Sequence, residues 1–292
     1  MSWFAPAPPE RLALLRILVG LWSLHYIGRR ASMFERIART DASLCRPVGP
    51  AAVLRKPVSP RGFRVLLRAS QLANLAFVFG WRHRATGPLY GTSLLWLLSY
   101  RNSWSMVFHN DNALVLHALV LGVSPAADAL SVDSLAAKHR GGAPHARYVW
   151  PIKLINTITI ATYFLAGVAK LKGPLGRRWA TGESLRSQVA ADGLRKELLG
   201  EHAAPLALRL YDQLAVYRLL ALGSLVIEMG APAALVDRRL ARLWALGAFG
   251  MHWGIFPIMK IRFRYQMAGL IFAPFSELER LLPRELGGGS KC

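Results

Sequence analysis

Long apolar runs separated by basic segments dominate this sequence. A run of about twenty apolar residues can cross a hydrocarbon core of about 30 Å as a helix. Counting such runs together with several shorter ones predicts an all-α, polytopic membrane bundle of seven or eight spans. The runs cover residues 11–28, 63–80, 88–108, 113–123, 150–170, 213–236, 243–259 and 263–275. We expect one transmembrane domain over residues 1–284 and a disordered, linker-like tail at 285–292.

Composition supports the membrane assignment. Hydrophobic residues make up 53% of the chain and charged residues only 18%, below the usual share of about 25%. The formal charge of +21 sits mainly between the apolar runs, where lysine and arginine set topology and meet anionic lipid heads. The predicted partner is therefore the lipid membrane and not a nucleic acid. Two cysteines give neither a disulfide framework nor a metal-ligand spacing.

Polar residues inside the apolar runs mark candidate interior faces. The segment from Tyr100 to Trp104 interrupts the third run, and it is expected to pack inside the bundle or beside water. In the run at 150–170, Asn156, Thr159, Tyr163 and Lys170 fall on one face of a helix. That face should therefore look into a bundle or a wet cavity.

The sequence allows two interpretations of Lys170. It could snorkel at the membrane boundary among neighbouring basic residues. Alternatively, it could be a buried amine that is neutral enough to act as a general base. Counting spans places the Lys170 end on the same side of the membrane as His109, where Asn110 and Asp111 could orient a substrate.

The remaining candidates are weaker. Glu228 lies within the run at 213–236, either as a functional group or as a lysine-paired carboxyl that locks helices together. His252 is a lone histidine in its run, and His117 is expected to pack. Because the histidines lack a close paired spacing, no metal site is predicted.

The segment Tyr163–Leu185 resembles the most characteristic stretch of the vitamin K-dependent gamma-carboxylase superfamily, which includes small bacterial HTTM (horizontally transferred transmembrane) proteins. Its pattern is an aromatic residue, A-G-x-x-K-L, a spacer and W-x-x-G-x-x-(L/M). The residues that fill the pattern are Tyr163, Ala166, Gly167, Lys170, Leu171, Trp179, Gly182 and Leu185. His109 with Asn110 upstream, and Glu228 and His252 downstream, resemble further landmarks of the family.

This resemblance implies a membrane enzyme of the bacterial inner membrane. Lys170 would be the base that deprotonates vitamin K hydroquinone or another quinol, and His109 would serve carboxylation. Oxygen and carbon dioxide would be co-substrates, and a peptide or small molecule would be modified. Asn110, Asp111, Tyr163, Trp179, Glu228 and His252 would bind substrate or cofactor. The animal enzymes carry a second lysine where this chain has Ala169.

A second hypothesis comes from another class of protein. The chain could be a non-catalytic membrane accessory protein that assists maturation or export of a secreted peptide. The two hypotheses differ at Lys170, since an accessory protein should tolerate arginine there and a base reaction should not. A transporter is not favoured, because no pair of broken helices is evident.

Overall fold

The computed structural model describes residues 6–105, 107–137 and 143–283. These ranges are helical and contain no β-strand beyond an isolated bridge between Ala7 and His145. The α-helices within them are α1 Pro9–Gly28, α2 Ala31–Ile37, α3 Pro60–Phe79, α4 His83–Asn102, α5 His109–Val123, α6 Val132–Ala136, α7 Val149–Lys172, α8 Glu183–Leu198, α9 Pro205–Leu210, α10 Leu214–Met229, α11 Arg238–Met259 and α12 Arg264–Met267. The predicted all-α class is therefore confirmed. The predicted tail at 285–292 lies outside the described residues.

Three helical segments in the described ranges are long and apolar enough to cross a membrane: Pro9–Gly28, Ala146–Lys172 and Leu214–Leu235. A shorter apolar helix covers Asp111–Val123. The chain is thus a membrane protein by length and composition of its helices, while the predicted count of seven or eight spans stays a prediction.

One predicted run does not form a spanning helix. Residues 263–275 were expected to be a short final span, but helix α12 ends at Met267 and turns follow it. Gly269 has a φ of +76°, a left-handed conformation that ends regular helix. Pro274 lacks the backbone donor that a longer helix would need.

The Cα positions divide the chain into two compact units. The N-terminal unit contains residues up to 155 together with the segment from 277, and the C-terminal unit contains 156–276.

Four helices, α1, α3, α4 and α5, form the N-terminal unit's bundle. Helix α3 begins after Ser59, whose Oγ accepts a hydrogen bond from the Gly62 backbone N–H at 3.1 Å, and it ends at Gly80 with a φ of +61°. The polar interruption of the third run is buried, as predicted, from Tyr100 to Ser103, whose exposures are 1% each, with Arg101 at 5%, while Trp104 at its end is half-buried. The bundle therefore encloses polar side chains as well as apolar ones.

Glycines bring α4 and α5 into backbone contact. A Cβ atom added at Gly87 would lie 2.3 Å from the carbonyl oxygen of Gly122, and one added at Gly122 would lie 2.5 Å from that of Gly87. Gly91, one turn later on α4, would meet Leu119 at 3.1 Å. Small residues four apart allow this kind of close helix crossing in membranes.

We expect Gly87→Ala to destabilise the N-terminal unit by about 1–3 kcal/mol, because the added methyl group forces two backbones apart. Thermal unfolding in phosphatidylcholine nanodiscs measures the effect. Gly28→Ala is the matched control, since a Cβ there meets only the Gln71 side chain at 3.7 Å, an ordinary contact. Equal unfolding temperatures for the two variants would contradict the close-contact interpretation.

In the C-terminal unit, α8 and α9 pack with α10 and α11. A small core there joins Val189, Ala204, Ala207 and Tyr217. A neighbouring core joins Trp179 with Ala221 and Leu225 of α10, and Leu185 contacts both cores. These contacts fix the chain that follows α7 against α10.

Candidate functional site

The polar face of α7 looks inward, as the sequence predicts. Asn156 is 9% exposed, Thr159 1% and Tyr163 7%. The Asn156 side-chain amide donates to the carbonyl of Pro274 at 3.3 Å. Lys170 lies on the same face in the last turn of the helix.

Lys170 is paired with a carboxylate. Its Nζ donates to Oε1 of Glu228 on α10, and the Glu228 side chain is 7% exposed. The same Nζ lies 5.1 Å from the centroid of the Trp179 ring, a distance typical of a cation–π contact. Glu228 is thus paired with a lysine, while a functional role for Glu228 stays a prediction.

The exposure of Lys170 lies between its two interpretations. Its side chain is 24% exposed, against 7% for its partner Glu228. The physical reason is its position near the end of α7, where the long side chain extends along the helix and keeps its amine at the boundary of the packed region. The amine is therefore only partly withdrawn from solvent.

Gly167 explains why α7 and α10 come close enough for this pair. A Cβ atom at Gly167 would lie 2.9 Å from Sδ of Met229 and 3.0 Å from Cβ of Glu228. Gly167 precedes Lys170 by one helical turn. The small residue thus sets the helix separation at the ion pair.

Trp179 and Gly182 anchor the segment after α7. Trp179 is 7% exposed. Gly182 has a φ of +84°, and a Cβ atom added there would lie 2.3 Å from the backbone nitrogen of Arg218. Any other residue at 182 would therefore collide with α10. The close approach at Gly182 holds this segment against α10, with Trp179 beside Lys170.

Two buried polar atoms of this cluster have no hydrogen-bond partner in the part of the chain that the structure describes. They are Nε1 of Trp179, a donor, and Oε2 of Glu228, an acceptor. Buried polar atoms are normally paired, so such orphans point to a missing water or ligand. The cluster of Lys170, Glu228 and Trp179, which we call the lysine cluster, could therefore bind a group that both donates and accepts.

Tyr163 and His252 form a second pair in the same unit. The Tyr163 hydroxyl and Nε2 of His252 are 2.6 Å apart. Aromatic rings surround them: Trp244 lies 5.1 Å from Tyr163, and Phe263 lies 4.7 Å from His252, between ring centroids. The sequence selected both Tyr163 and His252 but did not link them, because α7 and α11 are far apart in the chain.

The other candidates begin α5 in the N-terminal unit. The side chains of His109 and Asn110 lie outside what the structure describes. Asp111 is 2% exposed, and its carboxylate accepts from Nη1 of Arg101 at 2.6 Å and from the Tyr26 hydroxyl at 2.9 and 3.0 Å. The site roles predicted for these three residues stay predictions.

Sequence reasoning missed Arg101 and Tyr26 as partners of Asp111. Arg101 also donates to Oδ1 of Asn102 at 2.6 Å, and its Cζ lies 4.5 Å from the Phe108 ring centroid. The available signal was an arginine inside an apolar run, since a buried guanidinium requires a carboxylate partner. His117, predicted to pack, is 0% exposed.

The described residues are helical, and three helical segments among them are long and apolar enough to cross a membrane, which defines a helical membrane protein. The HTTM domain matches it over residues 4–267, so the chain belongs to the HTTM domain family. That membership makes it a membrane protein related to the vitamin K-dependent carboxylase family. No curated protein and no solved structure matches the chain.

Proposed function

We propose that this HTTM protein is a membrane enzyme in which Lys170 serves as the base for quinol- and oxygen-coupled modification of a peptide or small substrate. The reaction would be of the carboxylation type, with oxygen and carbon dioxide as co-substrates. The observation that carries the proposal is the Lys170–Glu228 pair with its two orphaned neighbouring atoms. The bacterial inner membrane is the proposed location.

The orphaned atoms fit a quinol hydroxyl, which donates one hydrogen bond and accepts another. Oε2 of Glu228 would accept from it, and Nε1 of Trp179 would donate to it. A reduced quinol, vitamin K hydroquinone or another, supplies an acidic hydroxyl and an oxygen-reactive ring when bound. The lysine cluster would hold that hydroxyl next to the amine.

Lys170 and Glu228 would take up the proton as a unit. When the pair shares its proton as amine and carboxylic acid, that proton would sit on Oε1 beside the Lys170 nitrogen, and Oε2 would accept from the quinol hydroxyl. As the quinol proton moves to Oε2, the proton on Oε1 would move to Nζ. After transfer, Lys170 is an ammonium, Glu228 again carries one proton, and the electron pair of the broken O–H bond stays on the hydroxyl oxygen.

The remaining site residues would position this chemistry. Tyr163 and His252, held by their mutual hydrogen bond, would orient the substrate from the same unit as Lys170. His109 would serve the carboxylation half, with Asn110 and Asp111 binding substrate. These assignments follow the family resemblance.

A non-catalytic accessory protein for a secreted peptide is the second candidate. One observation favours it: Lys170 already has a carboxylate partner, as a purely structural ion pair would. In that case the pair holds α7 to α10, and the chain binds a peptide without changing it.

The experiment that separates the candidates supplies reduced vitamin K, oxygen and carbonate to membranes containing the chain. Loss of the quinol is followed by chromatography in wild type, Lys170→Ala and Lys172→Ala. Lys172 is the matched control, an exposed lysine two residues later on α7. Quinol loss that persists in the control and disappears in Lys170→Ala supports the enzyme. Equal loss in both variants overturns the base assignment.

A further inference from the structure

A groove of about 960 Å³ opens in the N-terminal unit, where α3 ends, α4 begins and α5 ends. This volume lies at the upper end of the range for ligand pockets, which is roughly 300–1,000 Å³. The charged and titratable side chains that line it are Arg82, His83, Arg84, Asp128, Asp133 and Arg147. None of them belongs to the candidate sites described above. We call it the arginine groove.

The acidic residues of the arginine groove are already engaged. Oδ1 and Oδ2 of Asp133 accept from the backbone N–H groups of Arg82 and His83, each at 2.8 Å. Asp128 pairs with Arg147 at 2.8 Å. Arg82 and Arg84 are exposed, and neither makes an ion pair within the described ranges. The hydrogen bonds leave the charge of Asp133 in place, so the three arginines and two aspartates of the lining, +3 and −2, give the groove a net charge of +1.

A further positive charge lies behind the segment that follows α5. Arg16 of α1 is 0% exposed. Its Nη1 donates to the carbonyl of Ala126 at 2.8 Å, and its Nη2 donates to that of Leu130 at 2.6 Å. Both hydrogen-bond partners are neutral carbonyls, and the charge of Arg16 interacts with Asp133 of the groove. Arg16 therefore offsets the negative charge of Asp133 and adds to the positive potential of this end of the unit. The arrangement favours an anion.

The surface next to the arginine groove is apolar and exposed. Phe79 is 61% exposed, Trp81 50% and Val123 64%. The Arg82 guanidinium carbon lies 5.5 Å from the Trp81 ring centroid. Tryptophan beside arginine is typical of a membrane–water interface, where an apolar ring meets the headgroup level. A ligand for this place must combine an anionic head with apolar chains.

We propose that the arginine groove binds the headgroup of an anionic phospholipid. Its phosphate faces Arg82 and Arg84, and its acyl chains cover Trp81 and Val123. Charge complementarity at the head and exposed apolar surface at the tail select a lipid over a soluble phosphate ester. The site is independent of the lysine cluster and of the proposed quinol chemistry.

The test measures lipid adducts by native mass spectrometry of the full chain in neutral detergent. Phosphatidylglycerol is compared with phosphatidylcholine in wild type and in the double variant Arg82→Gln, Arg84→Gln. Each basic residue near an anionic lipid contributes a factor of about five, so the double variant should bind phosphatidylglycerol roughly 10- to 30-fold more weakly. Phosphatidylcholine binding should not change. Arg84→Gln alone, with a smaller expected loss, serves if the double variant does not fold.

The matched control is the double variant Arg39→Gln, Arg55→Gln. These two exposed arginines lie in the connections between α2 and α3, and their removal changes the net charge equally. Wild-type affinity in this control supports the groove. Equal weakening in both double variants, equal affinity for the two lipids, or glycerol 3-phosphate binding as tightly as phosphatidylglycerol would each overturn the proposal.

Discussion

Lys170→Arg is expected to leave the protein folded and to lower oxygen-dependent quinol consumption by at least about 100-fold, as loss of a general base does. Arginine retains the positive charge, so the ion pair with Glu228 can persist. A guanidinium does not release its proton in proteins and therefore has no lone pair to take up the proton of a quinol hydroxyl. The expected result is a stable and inactive chain.

The measurement combines the quinol assay with thermal unfolding in the same membranes. Lys172→Arg is the control, because Lys172 is exposed and lies on the same helix. An accessory protein predicts the opposite outcome: Lys170→Arg would still support the maturation of the secreted peptide. Quinol consumption in Lys170→Arg within a factor of two of the control would exclude Lys170 as the base.

The inward polar face of α7 could be predicted because helical periodicity is a local property of sequence. Asn156, Thr159 and Tyr163 all proved buried. Lys170 lies on the same face but is partly exposed, because its side chain is long and it lies near the end of the helix. Periodicity predicts the face of the helix on which a side chain lies. It does not predict how deeply the terminal group of a long side chain is buried.

The partners within the sites could not be predicted, since they come from distant parts of the chain. Glu228 pairs with Lys170 across 58 residues, and His252 pairs with Tyr163 across 89 residues. The family pattern marked Gly167 and Gly182 without giving their role. In the structure both glycines allow α10 to approach closely. This role becomes visible only when the helices are packed together.

The number of spans shows the limit of hydropathy alone. The run at 263–275 has the composition of a short span, yet Gly269 and Pro274 interrupt it. Conversely, the polar residues from Tyr100 to Ser103 looked unfavourable for a helix in lipid, and they are buried at the end of α4. Backbone breaks and interior polar contacts determine whether such a segment forms a spanning helix, and average hydropathy contains information on neither.

The contacts of Asp111 lead to the largest stability effect that we expect. Its carboxylate holds Arg101, and the side chains of the pair are 3% and 6% exposed. Asp111→Ala would leave a buried guanidinium without its counter-charge, which costs about 3–5 kcal/mol. The Asn102 amide oxygen and the Phe108 ring remain near Arg101, but neither carries a negative charge to replace the one removed.

Asp128→Ala is the matched control, because it removes another aspartate–arginine pair from the same unit. The side chains of Asp128 and Arg147 are 35% and 56% exposed, and an exposed pair contributes only about 0–1 kcal/mol. Unfolding in phosphatidylcholine nanodiscs should therefore show a large loss for Asp111→Ala and a small one for Asp128→Ala. Similar losses would mean that water or lipid headgroups reach Arg101, and that the Arg101–Asp111 pair does not hold α4 to α5. A large loss would instead establish this pair as the contact that holds the first turn of α5 to α4.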